Sequence, residues 1–394
     1  MSSEVRREEA EGSGPSRALY AHIEDVEPLE CYCPGGYHPI LIGQRLNDRY
    51  QIVHKLGFGT YSTTWLARDE KSSTYVAIKI GVANVEYQNE SHILRLLTSP
   101  DSDRSTHSGK AFIPKLIDDF NVQGPNGTHR CLVITAARMS VSDAREASFK
   151  RLFQPAVARA IAAQLIQAVA FLHSRGVVHS DLHEGNILLD FPKSIDSLPA
   201  DELYEKYGHP ELEKIERLDG QPLDVGVPTH GVIPIWLGSA CEEVGLDDAR
   251  ILLTDFGESF LPSTTARYHS HTPLILQHVD ALGRLPDSWW ASWPARHEYF
   301  KEGSLERVDG VVRRHLEARV EDSIYAPRRK HGMADAQEAE KVALIALLRS
   351  MLAFRLEDRP TARQVAESDW MIKWALPELE KVRAVPATEP YEDK

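Results

Sequence analysis

The chain has 394 residues, of which 42% are hydrophobic and 26% charged, enough apolar material for a globular protein with a sizeable core. Acidic residues outnumber basic ones 58 to 45, giving a net charge of −13; this disfavours general nucleic-acid binding and suits either plain acidic solubility or a basic peptide partner. Cys31, Cys33, Cys131 and Cys241 are too scattered for a disulfide framework, and Cys31-Tyr32-Cys33 lacks the second ligand pair of a zinc site, so a reduced intracellular protein, cytoplasmic or nuclear, is expected.

Residues 2–18 are rich in Glu, Arg, Ser and Gly, lack an apolar signal core and are expected to be disordered. No apolar run approaches the ~20 residues of a membrane span, so no membrane partner is expected. From Tyr50 onward, short β-branched and aromatic runs predict antiparallel strands: Tyr50-Gln51-Ile52-Val53, Thr63-Thr64-Trp65-Leu66-Ala67 and Tyr75-Val76-Ala77-Ile78-Lys79-Ile80. A helix is predicted over 85–97, with Ile93, Leu94, Leu96 and Leu97 apolar. Two further strands, 113–120 and 131–135, join through the turn Gly124-Pro125-Asn126-Gly127.

Beyond Met139 the pattern becomes helical. Over 155–175, Val157, Ile161, Leu165, Val169 and Leu172 fall near a 3.6-residue period and mark a core-facing stripe. Val177 and Val178, then Ile187-Leu188-Leu189, read as short strands around a loop. Residues 192–248 are rich in Pro, Gly and charge, which predicts a surface insertion with some helix. Helices are predicted again over 339–354 and 361–374.

The loop between those short strands carries chemistry. His179-Ser180-Asp181-Leu182-His183-Glu184-Gly185-Asn186 sets a carboxylate ahead of an amide, and Asp255-Phe256-Gly257 follows downstream. Asp181 is suited to orient a hydroxyl and accept its proton. Asn186 and Asp255 offer the hard oxygens that Mg2+ takes alongside phosphate oxygens and water. Upstream, Leu56-Gly57-Phe58-Gly59-Thr60-Tyr61-Ser62 lies between two strand signals, where glycines let backbone N–H groups approach phosphate. A plain hairpin would use the same glycines. Val76-Ala77-Ile78-Lys79 adds specificity, because it is a strand ending in a cation at the spacing that meets the α- and β-phosphates of ATP. Leu56, Gly57, Phe58, Gly59, Thr60, Ser62, Ala77 and Lys79 form the expected nucleotide-binding set. Glu90 is the favoured carboxylate to hold Lys79 at the phosphates, since Ile93 and Leu94 follow it at core-facing offsets; Glu86 is its rival.

In these motifs the chain resembles the eukaryotic protein kinases over about residues 50–374, and more narrowly the SR-protein kinases of fungal type. The narrower resemblance rests on Tyr32-Cys33-Pro34-Gly35-Gly36-Tyr37-His38-Pro39 with Ile42-Gly43, on Arg49-Tyr50, and on Ser62-Thr63-Thr64-Trp65-Leu66. Arg359-Pro360-Thr361, after Leu352-Ala353-Phe354, looks like the end of the large lobe. The resemblance implies an α+β, bilobal protein-kinase-like fold with a small antiparallel β lobe and a larger, mainly helical lobe. On the sequence this divides into an extension over 1–46, a small lobe over 47–136, a large lobe over 137–376 carrying the 192–248 insertion, and a tail over 377–394. It further implies a monomer that uses ATP and Mg2+ to phosphorylate serine or threonine in proteins, typically Arg/Ser-rich ones, without contacting nucleic acid.

Several positions depart from the family pattern. Ser180 stands where the family has an Arg, which implies independence from activation-loop phosphorylation. His183 stands in the catalytic loop for a Lys that neutralises the transferring phosphoryl group, and a neutral imidazole predicts slower chemistry. Ser62 stands for the third glycine, as in the resembled family. Residues 258–276, with Thr264, Thr265 and Arg267-Tyr268-His269-Ser270-His271-Thr272-Pro273, read as an activation segment. The Pro-Pro-Glu or Ala-Pro-Glu and the Asp-x-Trp helix opening that should follow are absent, and Gln277-His278-Val279-Asp280-Ala281-Leu282-Gly283 comes at once. The central helix of the large lobe is therefore expected to be missing and the stability low. Arg359, which would pair with the lost acidic anchor, must find another carboxylate or reach solvent. Two other functions stay open: an ATP-binding pseudokinase or truncated product, and a small-molecule phosphotransferase of the aminoglycoside or choline kinase type, whose His-x-Asp-Leu-His-x-Gly-Asn this loop also resembles.

Overall fold

The computed structural model describes residues 18–83, 88–99, 107–263 and 272–384. These fall into two compact units: one takes in the described residues of Met1–Tyr87, Ile117–Thr135 and Ser197–Trp236, the other those of Gln88–Leu116, Ala136–Asp196 and Leu237–Lys394. In chain order the strands are β1 (Arg45–Leu46), β2 (Tyr50–Gly59), β3 (Ser62–Asp69), β4 (Thr74–Gly81), β5 (Leu116–Gly124), β6 (Gly127–Thr135), β7 (Ala137–Ser140), β8 (Ile187–Asp190), β9 (Leu212–Lys214), β10 (His230–Val232) and β11 (Ile251–Leu253). Three helices matter most for the site: α1 (Gln88–Thr98), α2 (Val141–Glu146) and α3 (Pro155–Ser174).

The first unit is built on an antiparallel sheet in the order β1-β2-β3-β4-β6-β5. Alternate β-branched and aromatic residues explain it, for Ile52, Trp65, Ala67, Val76, Ile78, Ile80, Cys131 and Val133 close one core. The strand predicted over 113–120 starts later, at Leu116, and runs to the predicted turn.

Membership of this unit differs from the sequence expectation in two ways. Within 192–248, expected as an insertion of the helical lobe, Ser197–Trp236 groups with the sheet. Ile215 and Val227 close a second core with Tyr20, Ile23, Val26, Leu29, Tyr32 and Tyr37 from the chain's start. The Ala21 amide donates to the Glu216 carbonyl at 2.9 Å, and the Leu218 amide to the Leu19 carbonyl at 3.0 Å. The helix Ala200–Tyr207 is fastened by the Tyr204 hydroxyl, which donates to the Val53 carbonyl at 2.8 Å. Conversely, α1 and the stretch after it, expected within the small lobe, group with the second unit. Tertiary hydrogen bonds decide this: the Arg175 guanidinium donates to the Leu96 carbonyl at 2.8 Å and to Ser99 Oγ at 2.9 Å.

The second unit is organised by α3, whose Pro155 sits at the helix start, where a missing N–H costs nothing. It buries Val157, Ala160, Ile161, Ala163, Ala168, Phe171 and Leu172, while Leu165 and Val169, expected in the stripe, are half-buried. By length and composition α3 is apolar enough to cross a membrane, contrary to the sequence expectation, yet more than half of it is buried within the protein. Arg159 on it donates twice to the Glu340 carboxylate, at 2.7 and 2.6 Å. A core helix accounts for both facts. Strands β11, β8 and β7 form a small sheet in that order, and the predicted strand at Val177-Val178 reduces to one bridge, Val178 to Phe260.

Toward the C-terminus, the helix Glu338–Met351 appears where one is predicted, whereas the predicted 361–374 helix breaks into Ala362–Ala366 and a π-helical turn, Met371–Ala375. Glu338–Met351 carries Val342, Ala343, Leu344, Ile345, Leu347 and Leu348, but among these only Leu347 is buried and Val342 is 61% exposed. Arg359 reaches solvent, its Nε donating to the Ala353 carbonyl at 2.7 Å.

Candidate active site

In the second unit, strand register assembles the catalytic-loop residues. Ile187 pairs with Leu253 in the antiparallel β8–β11 ladder, so Asn186, just before β8, falls beside Thr254, just after β11. The Thr254 amide and Oγ1 both donate to the Asn186 carbonyl, at 2.9 and 3.1 Å. The Asn186 Nδ2 donates to the Asp181 carbonyl at 2.9 Å and lies 3.4 Å from its Oδ2. Asp181, Asn186 and Asp255 are thereby gathered at one end of a short sheet. Ser180 and Asp255 both have left-handed backbone, φ 71° and 60°. Such conformations cost of order 1 kcal/mol at a non-glycine residue and cluster at functional sites.

Two histidines in the loop have fixed roles. Buried His179 donates from Nε2 to the Thr254 carbonyl at 3.0 Å, its Nδ1 lies 3.4 Å from the Asp181 amide, and its ring lies 5.0 Å from that of Phe256. Burial holds its pKa below the usual histidine value, against the opposing pull of the Thr254 hydrogen bond, so it is a neutral strut. His183 is exposed. Its Nδ1 accepts the Gly185 amide at 3.1 Å, which puts the proton on Nε2, 3.7 Å from Asp181 Oδ2. The imidazole therefore stands as an N–H donor beside Asp181. Arg145 on α2 pairs with the Glu184 carboxylate and braces the loop from behind. Helix α1 is tied to the Asp255-Phe256-Gly257 turn by Asn89, whose Nδ2 donates to the Ser259 carbonyl and lies 3.4 Å from that of Gly257. Glu90, next on α1, is 3% exposed.

In the first unit, β2 and β3 form a hairpin closed by Gly59 opposite Ser62. Leu56, Gly57 and Ser62 are half-buried; Phe58, Gly59 and Thr60 are exposed at the tip. Lys79 on β4 is half-buried between Thr64 of β3 and Leu132 of β6, and Ala77 is buried on the same strand. A Cβ built on Gly57 or Gly59 would meet nothing within 4 Å, and neither residue has a left-handed φ. Nothing inside the chain demands glycine here. The open ground above the hairpin fits a phosphate approaching the backbone closely.

The donor chemistry also fits Mg2+ with ATP. Among the described residues no three or more His, Cys, Asp or Glu side chains form a cage, so a cation would rest on Asn186 Oδ1 and Asp255, completed by phosphate oxygens and water. Glu86, Thr264, Thr265 and residues 267–271 lie outside the described residues. Thr272 and Pro273, read as part of the activation segment, open a helix, Thr272–Leu282. Sequence reasoning missed Asn89, Arg145 and Tyr37, whose hydroxyl reaches the Gly59 carbonyl; each acts through a tertiary contact that no local pattern signals.

Residues 50–196 match the protein kinase domain family. The chain is 34% identical over 185 residues to Protein kinase dsk1 of Schizosaccharomyces pombe, covering 46% of this chain and 33% of that protein. It is 34% identical over 171 residues to SRSF protein kinase 3 of Homo sapiens, covering 42% and 30%, and 34% identical over 170 residues to Serine/threonine-protein kinase SKY1 of Saccharomyces cerevisiae, covering 42% and 23%. The matched stretch thus spans a third or less of these relatives. The crystal structure of a kinase domain superposes with a TM-score of 0.53 at 16% identity, covering 85% of this chain and 98% of that one, a likeness of fold alone. The relatives carry protein-kinase names, which favours that class over small-molecule phosphotransferases. Over residues 50–196 the chain is therefore similar to the protein kinase domain, and its relatives there include SR-protein kinases.

Proposed function

We propose that this protein transfers a phosphoryl group from ATP to serine or threonine hydroxyls of proteins, with Arg/Ser-rich segments as the favoured substrates. The observation that carries the proposal is the β8–β11 register, which holds Asp181, Asn186 and Asp255 at one sheet end with Asn186 tied to Asp181. Asp181 orients the attacking hydroxyl and takes its proton on the carboxylate. His183 Nε2 lies 3.7 Å from the same carboxylate, where a lysine would bring more charge. Lys79 and the hairpin residues Leu56 to Ser62 hold the nucleotide; Asn186 and Asp255 hold the metal. Bound Mg2+ and ATP supply the transferable group and neutralise its charge. The net charge of −13 and the similarity to SRSF protein kinase 3 support an Arg-rich substrate.

Radiolabelled phosphate transfer to an Arg/Ser peptide tests this. Asp181→Ala should lower incorporation by about 10²-fold or more, the usual worth of a positioned acid–base group. Equal incorporation by the variant would reject the assignment.

A further inference from the structure

The hairpin tip at Phe58, Gly59 and Thr60 is exposed and has little packing of its own to fix its peptide planes. What meets it from below is Tyr37, from the extension ahead of the sheet. Tyr37 is 2% exposed, and its hydroxyl donates to the Gly59 carbonyl at 2.8 Å, with the Thr60 carbonyl at 3.2 Å. In a planar trans peptide the N–H points opposite to the C=O. Drawing the Gly59 and Thr60 carbonyls toward one hydroxyl therefore turns the Thr60 and Tyr61 amides the other way, toward the open side where Gly57 and Gly59 leave room.

Tyr37 is itself held from several directions. Its amide donates to the Cys31 carbonyl at 2.9 Å, and its carbonyl accepts Asn126 Nδ2 at 2.7 Å. The Gly36 carbonyl accepts the Ala83 amide at 2.9 Å, and a Cβ on Gly36 would lie 1.8 Å from the Cys31 carbonyl oxygen. The Tyr37 ring lies 5.6 Å from that of Tyr32, whose hydroxyl donates to Glu27; Glu27 in turn pairs with buried Lys55 on β2, on the approach to the tip. The extension thus grips the hairpin at its tip and on the strand leading to it. Burial pushes the Tyr37 hydroxyl up to about 12, so it stays a donor at neutral pH.

We propose that Tyr37 is a positioning residue for the nucleotide: through the Gly59 and Thr60 carbonyls it aims the Thr60 and Tyr61 amides at the phosphates. This makes the N-terminal extension a working part of the nucleotide site, and it rests on the ATP-binding function proposed above. The experiment compares Mg2+–ATP with adenosine, which lacks phosphates, by competition against a fluorescent ATP analogue on the full chain and its Tyr37→Phe variant. The variant should bind ATP about 2- to 12-fold more weakly, the worth of one hydrogen bond, with adenosine affinity unchanged. A loss shared equally by ATP and adenosine would mark a merely structural role and overturn the inference, as would no loss at all. If the unaltered chain binds neither ligand, the kinase function itself falls. A second measurement needs no variant: hydrogen exchange at the Thr60 and Tyr61 amides should slow with ATP but not with adenosine. Equal exchange in both would also overturn it.

Discussion

A Cβ added at Gly36 would lie 1.8 Å from the Cys31 carbonyl oxygen, whereas one added at Gly59 would meet nothing within 4 Å. The fold demands glycine at Gly36 and makes no such demand at Gly59. Gly36→Ala should destabilise the protein by about 1–3 kcal/mol or more, since backbone must move to admit the methyl group. Gly59→Ala should shift the urea midpoint by no more than about 0.5 kcal/mol of stability, yet weaken ATP binding. Urea titration beside nucleotide binding checks both, and a large stability loss at Gly59 would refute the distinction. At this scale the sequence was informative wherever neighbours in the chain are also partners: Asp181 and Asn186 sit in one loop, and Asn186 reaches Asp181 directly. It was silent on Asn89, because nothing local shows that its amide meets the Ser259 carbonyl across a separation of 170 residues.

Among elements, strands were the most legible, because short runs rich in β-branched and aromatic residues, such as Tyr75-Val76-Ala77-Ile78, are bounded by Gly or charged turns. Which unit an element joins was not legible: the 197–236 stretch offers isolated apolar residues, Ile215 and Val227, whose core is closed chiefly by residues 20–37. The same extension contains a buried ion pair. Lys55 on β2 is fully buried against Glu27, which also accepts the Tyr32 hydroxyl, and burial lowers the Lys55 pKa. Lys55→Met leaves Glu27 buried with no cation and should cost about 3–5 kcal/mol. Adding Glu27→Gln removes the stranded charge, keeps an acceptor for Tyr32, and should recover most of that loss. Denaturant unfolding of the single and double variants reads this out; additive losses would show that the pair is not coupled.

Across the whole molecule, the helix Glu338–Met351 shows how unevenly an apolar helix can be covered. Its sequence is apolar over most of its surface, but Val342 is 61% exposed while Leu347 is 8% exposed. Val342→Lys should therefore change stability by less than about 0.5 kcal/mol, and Leu347→Ala should cost about 2–5 kcal/mol. Equal losses would show that Val342's face is covered after all. The discontinuous make-up of the first unit bears on how the chain is born. Tyr20, Ile23, Val26 and Leu29 leave the ribosome early, but Ile215 and Val227, which seal them, follow only after the whole of 88–196, most of it assigned to the other unit, has been made. At about 5–20 residues per second that interval is on the order of 10 s. For that time the nascent extension shows its apolar side to any chaperone at the tunnel exit, and a chain stalled before residue 215 would keep showing it.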